Sequence, residues 1–199
     1  MDKHPVDLAN RREPNSPMTA IGFKKLNALV ELAGSLFDEA RASADAKCWR
    51  GAIILVSASI EASLLGTAIC CKPDLKVQGV WPKNKRPPED WGLSTLLELA
   101  IQADWLPQRK TNEGRIPDPA TLINGNMGDA LEFVRCLRNV LVHPGRHITD
   151  LIWLNSADEE SMSPTYELCK GIADELFKRL RTAIADTVST PITEEVSPA

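Results

Sequence analysis

Residues 51–71 read Gly-Ala-Ile-Ile-Leu-Val-Ser-Ala-Ser-Ile-Glu-Ala-Ser-Leu-Leu-Gly-Thr-Ala-Ile-Cys-Cys. The run is apolar nearly all round, the pattern of a helix buried on every side rather than along one stripe. Its small residues Ser57, Ala58, Ser59, Ala62 and Ser63 let neighbouring helices approach closely, so the stretch predicts the central helix of a bundle. Its length and its flanks, Arg50 and Lys72, also meet the roughly 20-residue requirement of a membrane span. Ser57, Ser59, Glu61, Ser63 and Thr67 interrupt the apolar surface, and a charge at bilayer depth is expensive. The bundle reading is therefore preferred, and no membrane association is expected.

On the N-terminal side, Ser16-Pro17 supplies a helix cap followed by proline at the first helical position, where its missing N–H costs nothing. From there Phe23, Leu26, Leu29, Val30, Ala33, Leu36, Phe37 and Ala40 recur at three- and four-residue steps, which predicts an amphipathic helix. On the C-terminal side, the chain from Pro73 to Trp91 is polar and proline-rich and predicts a long loop. A short helix around Leu93 to Trp105, with Ser94 near its start, precedes a second irregular stretch, Pro107 to Gly128. A helix from about Asp129 to Val142 is stopped by His143-Pro144-Gly145, because a residue before proline is pushed out of the α region. After a connector containing Trp153, Ser163-Pro164 opens the last helix. Its Cys169, Ile172, Ala173, Leu176, Leu180, Ala183, Ile184 and Val188 form one face, opposite Lys170, Asp174, Lys178 and Arg181.

No internal repeat or convincing strand pair is visible. The expectation is an all-α bundle of four to five helices over residues 17–188, with a long loop after the second helix. Residues 1–16 and 189–199 read as flexible flanks. A chain of 199 residues with 43% hydrophobic content suits one domain with a real core. The net charge of -4 gives no overall basic field, so contact with nucleic acid would depend on local patches. Five cysteines, an odd number lying mostly in apolar helical patterns, suggest small hydrophobes rather than a disulfide framework. The first residues lack the apolar stretch of a secretory signal, which points to the cytoplasm.

Several chemistries find no residues to carry them. The sequence has no GxSxG elbow, no GxxxxGK phosphate loop, no GxGxxG after a strand and no Cys/His spacing for zinc. With three histidines in the chain, no metal or other cofactor is expected.

The chemically informative segment is Arg135-Cys136-Leu137-Arg138-Asn139-Val140-Leu141-Val142-His143-Pro144-Gly145-Arg146. At about 100° per residue, Leu131, Val134, Leu137 and Leu141 form an apolar stripe that contains Arg138. A cation on a buried stripe needs a partner, because desolvation costs several kcal/mol. Glu61, the only acidic residue between Gly51 and Cys71, is the expected partner. Phe133, Cys136 and Val140 form a second apolar strip, leaving a narrow polar sector of Glu132, Arg135 and Asn139. One strip is expected to pack within the protomer and the other against a second chain. Asn139 and His143, four apart, project from neighbouring angles toward a shared polar pocket, whereas Arg138 and His143 differ by about 140° on an ideal helix.

Arg138-Asn139 followed by His143 at the end of a bundle helix resembles the signature of the HEPN superfamily: arginine, a polar residue, a short spacer and histidine. The preceding helix with Ser59-Ile60-Glu61-Ala62-Ser63-Leu64 and the long amphipathic helix that follows agree with that architecture. The resemblance implies a homodimer whose Arg/His motifs meet in one cleft and cut single-stranded RNA without a metal, in a toxin or antiviral defence setting with an antitoxin or other protein partner. It casts Arg138 and His143 as catalytic, with Asn139 in support, and Glu61 supports Arg138 as its expected partner. Arg146 and His147, beside the motif, and Lys83, Lys85 and Arg86, near Trp81 and Trp91, are candidate RNA contacts. A HEPN-like module that binds or dimerises without catalysis is the alternative.

Overall fold

A computed structural model describes residues 20–82, 87–106, 127–142 and 159–189. Helix α1 spans Ala20–Asp45, α2 Trp49–Cys70, α3 Lys72–Val77, α4 Leu93–Gln102, α5 Met127–Val142 and α6 Glu159–Ser189. A single 3-10 turn, Pro88–Asp90, precedes α4. Among the described residues every regular element is helical, as the all-α reading requires.

The organising element is α2, of whose 22 residues 13 are buried. On a wheel of 100° per residue these cover about two-thirds of its circumference. Ile54, Ala58, Glu61 and Leu65 occupy the remaining, half-buried sector. α2 packs most extensively on α1 and α6 and also touches α3, α4 and α5. This is a core helix, the environment its serines and Glu61 indicated.

α1 lies antiparallel to α2. Ser59 Oγ donates to the Ala33 carbonyl at 2.8 Å midway along the pair, and Leu26 meets Cys70 at the far end. The buried positions of α1, Leu26, Ala33, Ala40 and Ala44, are mostly alanine, which brings the two backbones close enough for that bond. α6 runs parallel to α2, since Trp49 packs on Tyr166 near one end and Gly66 on Leu180 near the other. A Cβ at Gly66 would stand 2.8 Å from Leu180 Cδ1, so glycine sets the separation of these helices.

Three of the four hydroxyls buried along α2 are satisfied: Ser57 Oγ donates to the Ile53 carbonyl at 2.6 Å, Ser59 Oγ to Ala33, and Thr67 Oγ1 to the Ser63 carbonyl at 2.8 Å. Ser63 Oγ is fully buried with no partner among the described residues. An unmade bond of this kind costs about 1–3 kcal/mol. Ser63→Ala is accordingly expected to raise the free energy of unfolding by about 1 kcal/mol, measured as an increased urea midpoint. A lowered midpoint would mean that the hydroxyl is bonded in solution.

Three boundaries differ from the sequence reading. The Pro73 to Trp91 stretch is not loop throughout. Pro73 sits in the first turn of α3, a position where proline is preorganised for helix, and Leu75 is buried beneath it. α4 stops at Gln102 rather than Trp105, because Asp104 has φ 59 and the Trp105 N–H turns back to the Ala100 carbonyl. The same closure, with a left-handed residue at its corner, ends α1 at Lys47 (φ 59) and α3 at Gly79 (φ 73). Finally, α6 begins at Glu159, so Ser163-Pro164 does not open it. Pro164 lies early in the helix, where it forfeits one backbone bond, and buried Met162 gives the preceding turn a hold on the core.

Both apolar strips of α5 are largely covered by their own chain: Leu131, Val134 and Leu137 of the first are buried, as are Phe133 and Val140 of the second, while Leu141 and Cys136 are partly exposed. This corrects the expectation that one strip meets another protomer. The helix lies where α2, α4 and α6 converge, so two of its faces find cover at once.

Candidate functional site

α5 brings its polar residues to the bundle surface. Arg138 Nη2 lies 2.9 Å from Glu61 Oε2, with 32% and 21% of the respective side chains exposed. The approach of Glu61 to Arg138 inferred from the apolar stripe is thus present. Its cause is local: position 138 falls beside Leu131 and Leu141 on the helix, and α2 presents Glu61 from its one half-buried sector.

One turn earlier, Arg135 grips Glu132 with two donors, Nε to Oε2 at 2.8 Å and Nη2 to Oε1. Arg135 Nη2 also donates to Cys136 Sγ at 3.6 Å, and the Cys136 thiol reaches Glu132 Oε1 at 3.7 Å. The Glu132 carboxylate raises the Arg135 pKa further above its ordinary value, against the opposing effect of burial. This cluster escaped the sequence reading, although Glu132 and Arg135 stand at helical i,i+3 spacing, the signal that could have found it. Asn139 is half-buried on the same side, and Val142, the last residue of α5, is 47% exposed.

The chemistry available here is that of a guanidinium held in place by a carboxylate on one side and open to solvent on another. Its fork can donate to a second, planar or tetrahedral, anion. Glu61 balances its charge, so an incoming phosphate would share the arginine rather than meet a bare cation. His143, which follows Val142 directly, lies outside the described residues, as do Arg146, His147, Lys83, Lys85 and Arg86.

The tryptophans next to the basic loop have other work. Lys72 Nζ stands 5.4 Å from the centre of the Trp81 ring, Trp81 and Trp91 pack with centroids 4.8 Å apart, and Trp91 is buried. They pin the chain after α3 to the bundle, with Trp81 left partly exposed.

A cleft of about 410 Å³ lies elsewhere, between the end of α2, the start of α3 and α6. Cys70, Cys71, Trp105 and Lys178 are among its lining residues, and neither Arg138 nor Glu61 is. Among the described residues no group of three or more histidine, cysteine or acidic side chains is placed to hold a metal ion. No family model, curated protein or solved structure matches the chain.

Proposed function

We propose that this chain is a metal-independent endoribonuclease of the HEPN type, acting as a homodimer in the cytoplasm as a toxin or defence component. One observation carries the reading. Arg138 sits in the closing turns of α5, five residues before His143, fixed at 2.9 Å by Glu61 and still partly open to solvent. A guanidinium sealed in an apolar core could serve no substrate.

In the proposed reaction His143 removes the proton from a ribose 2′-hydroxyl, whose oxygen attacks the adjacent phosphorus. The 5′-oxygen of the next nucleotide leaves with a proton donated by the histidine of the second copy's motif, and a 2′,3′-cyclic phosphate remains. An imidazole with an ordinary pKa near 6.5 suits both transfers at neutral pH. Arg138 stabilises the charge that gathers on the phosphoryl oxygens, and Asn139 orients the histidine or the phosphate. A second copy would bring its own motif alongside, against the incompletely covered apolar sector of Ile54, Ala58 and Leu65 that flanks Glu61 on α2.

The charge balance between Glu61 and Arg138 favours a second reading, a HEPN-like module that binds or dimerises and uses the pair only to fix helix register. Incubation with single-stranded RNA in EDTA separates the two. Cleavage by the wild type that leaves cyclic phosphate ends, and that Arg138→Ala and His143→Ala both lose, supports the nuclease. Inactivity of all three proteins, each folded by circular dichroism, rejects it.

A further inference from the structure

The cleft at the far end of α2 carries its own chemistry, independent of the α5 site. Cys70 is the last residue of α2 and Cys71 the first beyond it, and both open onto the same space. Both are thiols. Cys70 is 8% exposed and Cys71 partly so. Burial, with the neighbouring Cys71 adding to it, pushes the Cys70 thiol up to about 12, against the pull of a hydrogen bond with Thr187. At neutral pH Cys70 is therefore protonated, which makes it a poor nucleophile and a poor partner for ions that need a ready thiolate. Asp74, Glu175 and Asp186 also line the cleft, but among the described residues no group of three or more histidine, cysteine or acidic side chains is placed to hold a metal ion.

One class of ligand asks for two adjacent thiols, accepts them protonated and needs no third protein ligand. We propose that Cys70 and Cys71 form a dithiol site for a monosubstituted trivalent arsenical, R–As=O, whose organic group occupies the cleft. Two As–S bonds form while two S–H bonds and the As=O bond break. The oxygen leaves as water carrying both thiol protons, and arsenic stays trivalent, so no oxidant is required. Arsenic in this product is pyramidal and holds its two sulfurs close together; the two thiols line one cleft, and Cys71 lies near enough to act electrostatically on Cys70. The volume of about 410 Å³ accommodates an aryl group, and Trp105 and Pro73 in the wall offer it apolar surface.

The probe is phenylarsine oxide, added at one equivalent to the full chain and followed by intact mass. The expected result is a single phenylarsine adduct that persists in excess monothiol and is stripped by a dithiol. It blocks iodoacetamide labelling of the partly exposed Cys71 while leaving the exposed Cys48 reactive. Cys71→Ser, at the less buried of the two positions, is expected to retain the fold by circular dichroism and to shed the adduct to monothiol roughly 100-fold more readily, the advantage of a second tethered contact. Cys136→Ser leaves retention unchanged. A wild type that sheds the adduct as readily as Cys71→Ser, or an adduct that maps to Cys48 or Cys136, would overturn the proposal.

Discussion

Phe133→Ala is expected to lower the free energy of unfolding by about 4 kcal/mol, the range for deleting a fully buried phenyl ring. Phe133 is among the largest side chains in the chain with no exposure, and it belongs to the main core together with Leu131, Val134 and Leu137 of the same helix. Truncation removes the apolar transfer free energy of the ring and leaves a cavity where α5 meets its neighbours. Helices cannot close such a gap without disturbing their other contacts, so most of the cavity cost persists. The loss, read from urea unfolding, is expected to be independent of protein concentration, because the ring is covered by its own chain. A deficit that shrinks as the protein is concentrated would place Phe133 at a subunit interface instead. Val142→Ala, at the exposed end of the same helix, is the control and should stay within about 0.5 kcal/mol of wild type.

The contrast between these two positions shows where the sequence could be read and where it could not. The central place of α2 was legible because burial on most sides leaves a composition that no half-exposed helix has. The Glu61–Arg138 pair was legible for a related reason, as a cation on an apolar stripe demands a carboxylate, and one acidic residue stood in the helix at the centre. The expectation that one of the two strips of α5 meets a second chain failed, because periodicity reports that a face is buried and not by what. Only the convergence of three helices on α5 answers that, through contacts distant in sequence. Proline misled in both directions: Pro73 opens a helix inside an apparent loop, and Pro164 rides inside a helix it was expected to begin. The cleft beside Cys70 was invisible for the same reason as the cover of Phe133, since α2, α3 and α6 build it jointly. Arg138 is the half of the proposed active site that the fold fixes, through Glu61.

That half can be tested for chemistry apart from architecture. Arg138→Ala is expected to lower the rate of RNA cleavage by about 100- to 1000-fold, the usual effect of removing one preorganised donor from a developing oxyanion. A structural role alone could mimic part of that loss, because the substitution strands Glu61 half-buried without its partner. The double variant Glu61→Leu/Arg138→Met removes the confusion. Breaking one side of a buried pair costs roughly 3–5 kcal/mol, less with the exposure seen here, whereas replacing both members by apolar groups of similar volume is often neutral or stabilising. Glu61→Leu alone should therefore cost about 2 kcal/mol of stability, and the double variant should recover most of it. If Arg138 only fixes register, cleavage returns with the fold. If the guanidinium meets the phosphoryl group, the double variant unfolds like the wild type and still fails to cut, and Arg138→Lys, which keeps the charge but not the planar fork, falls between the two.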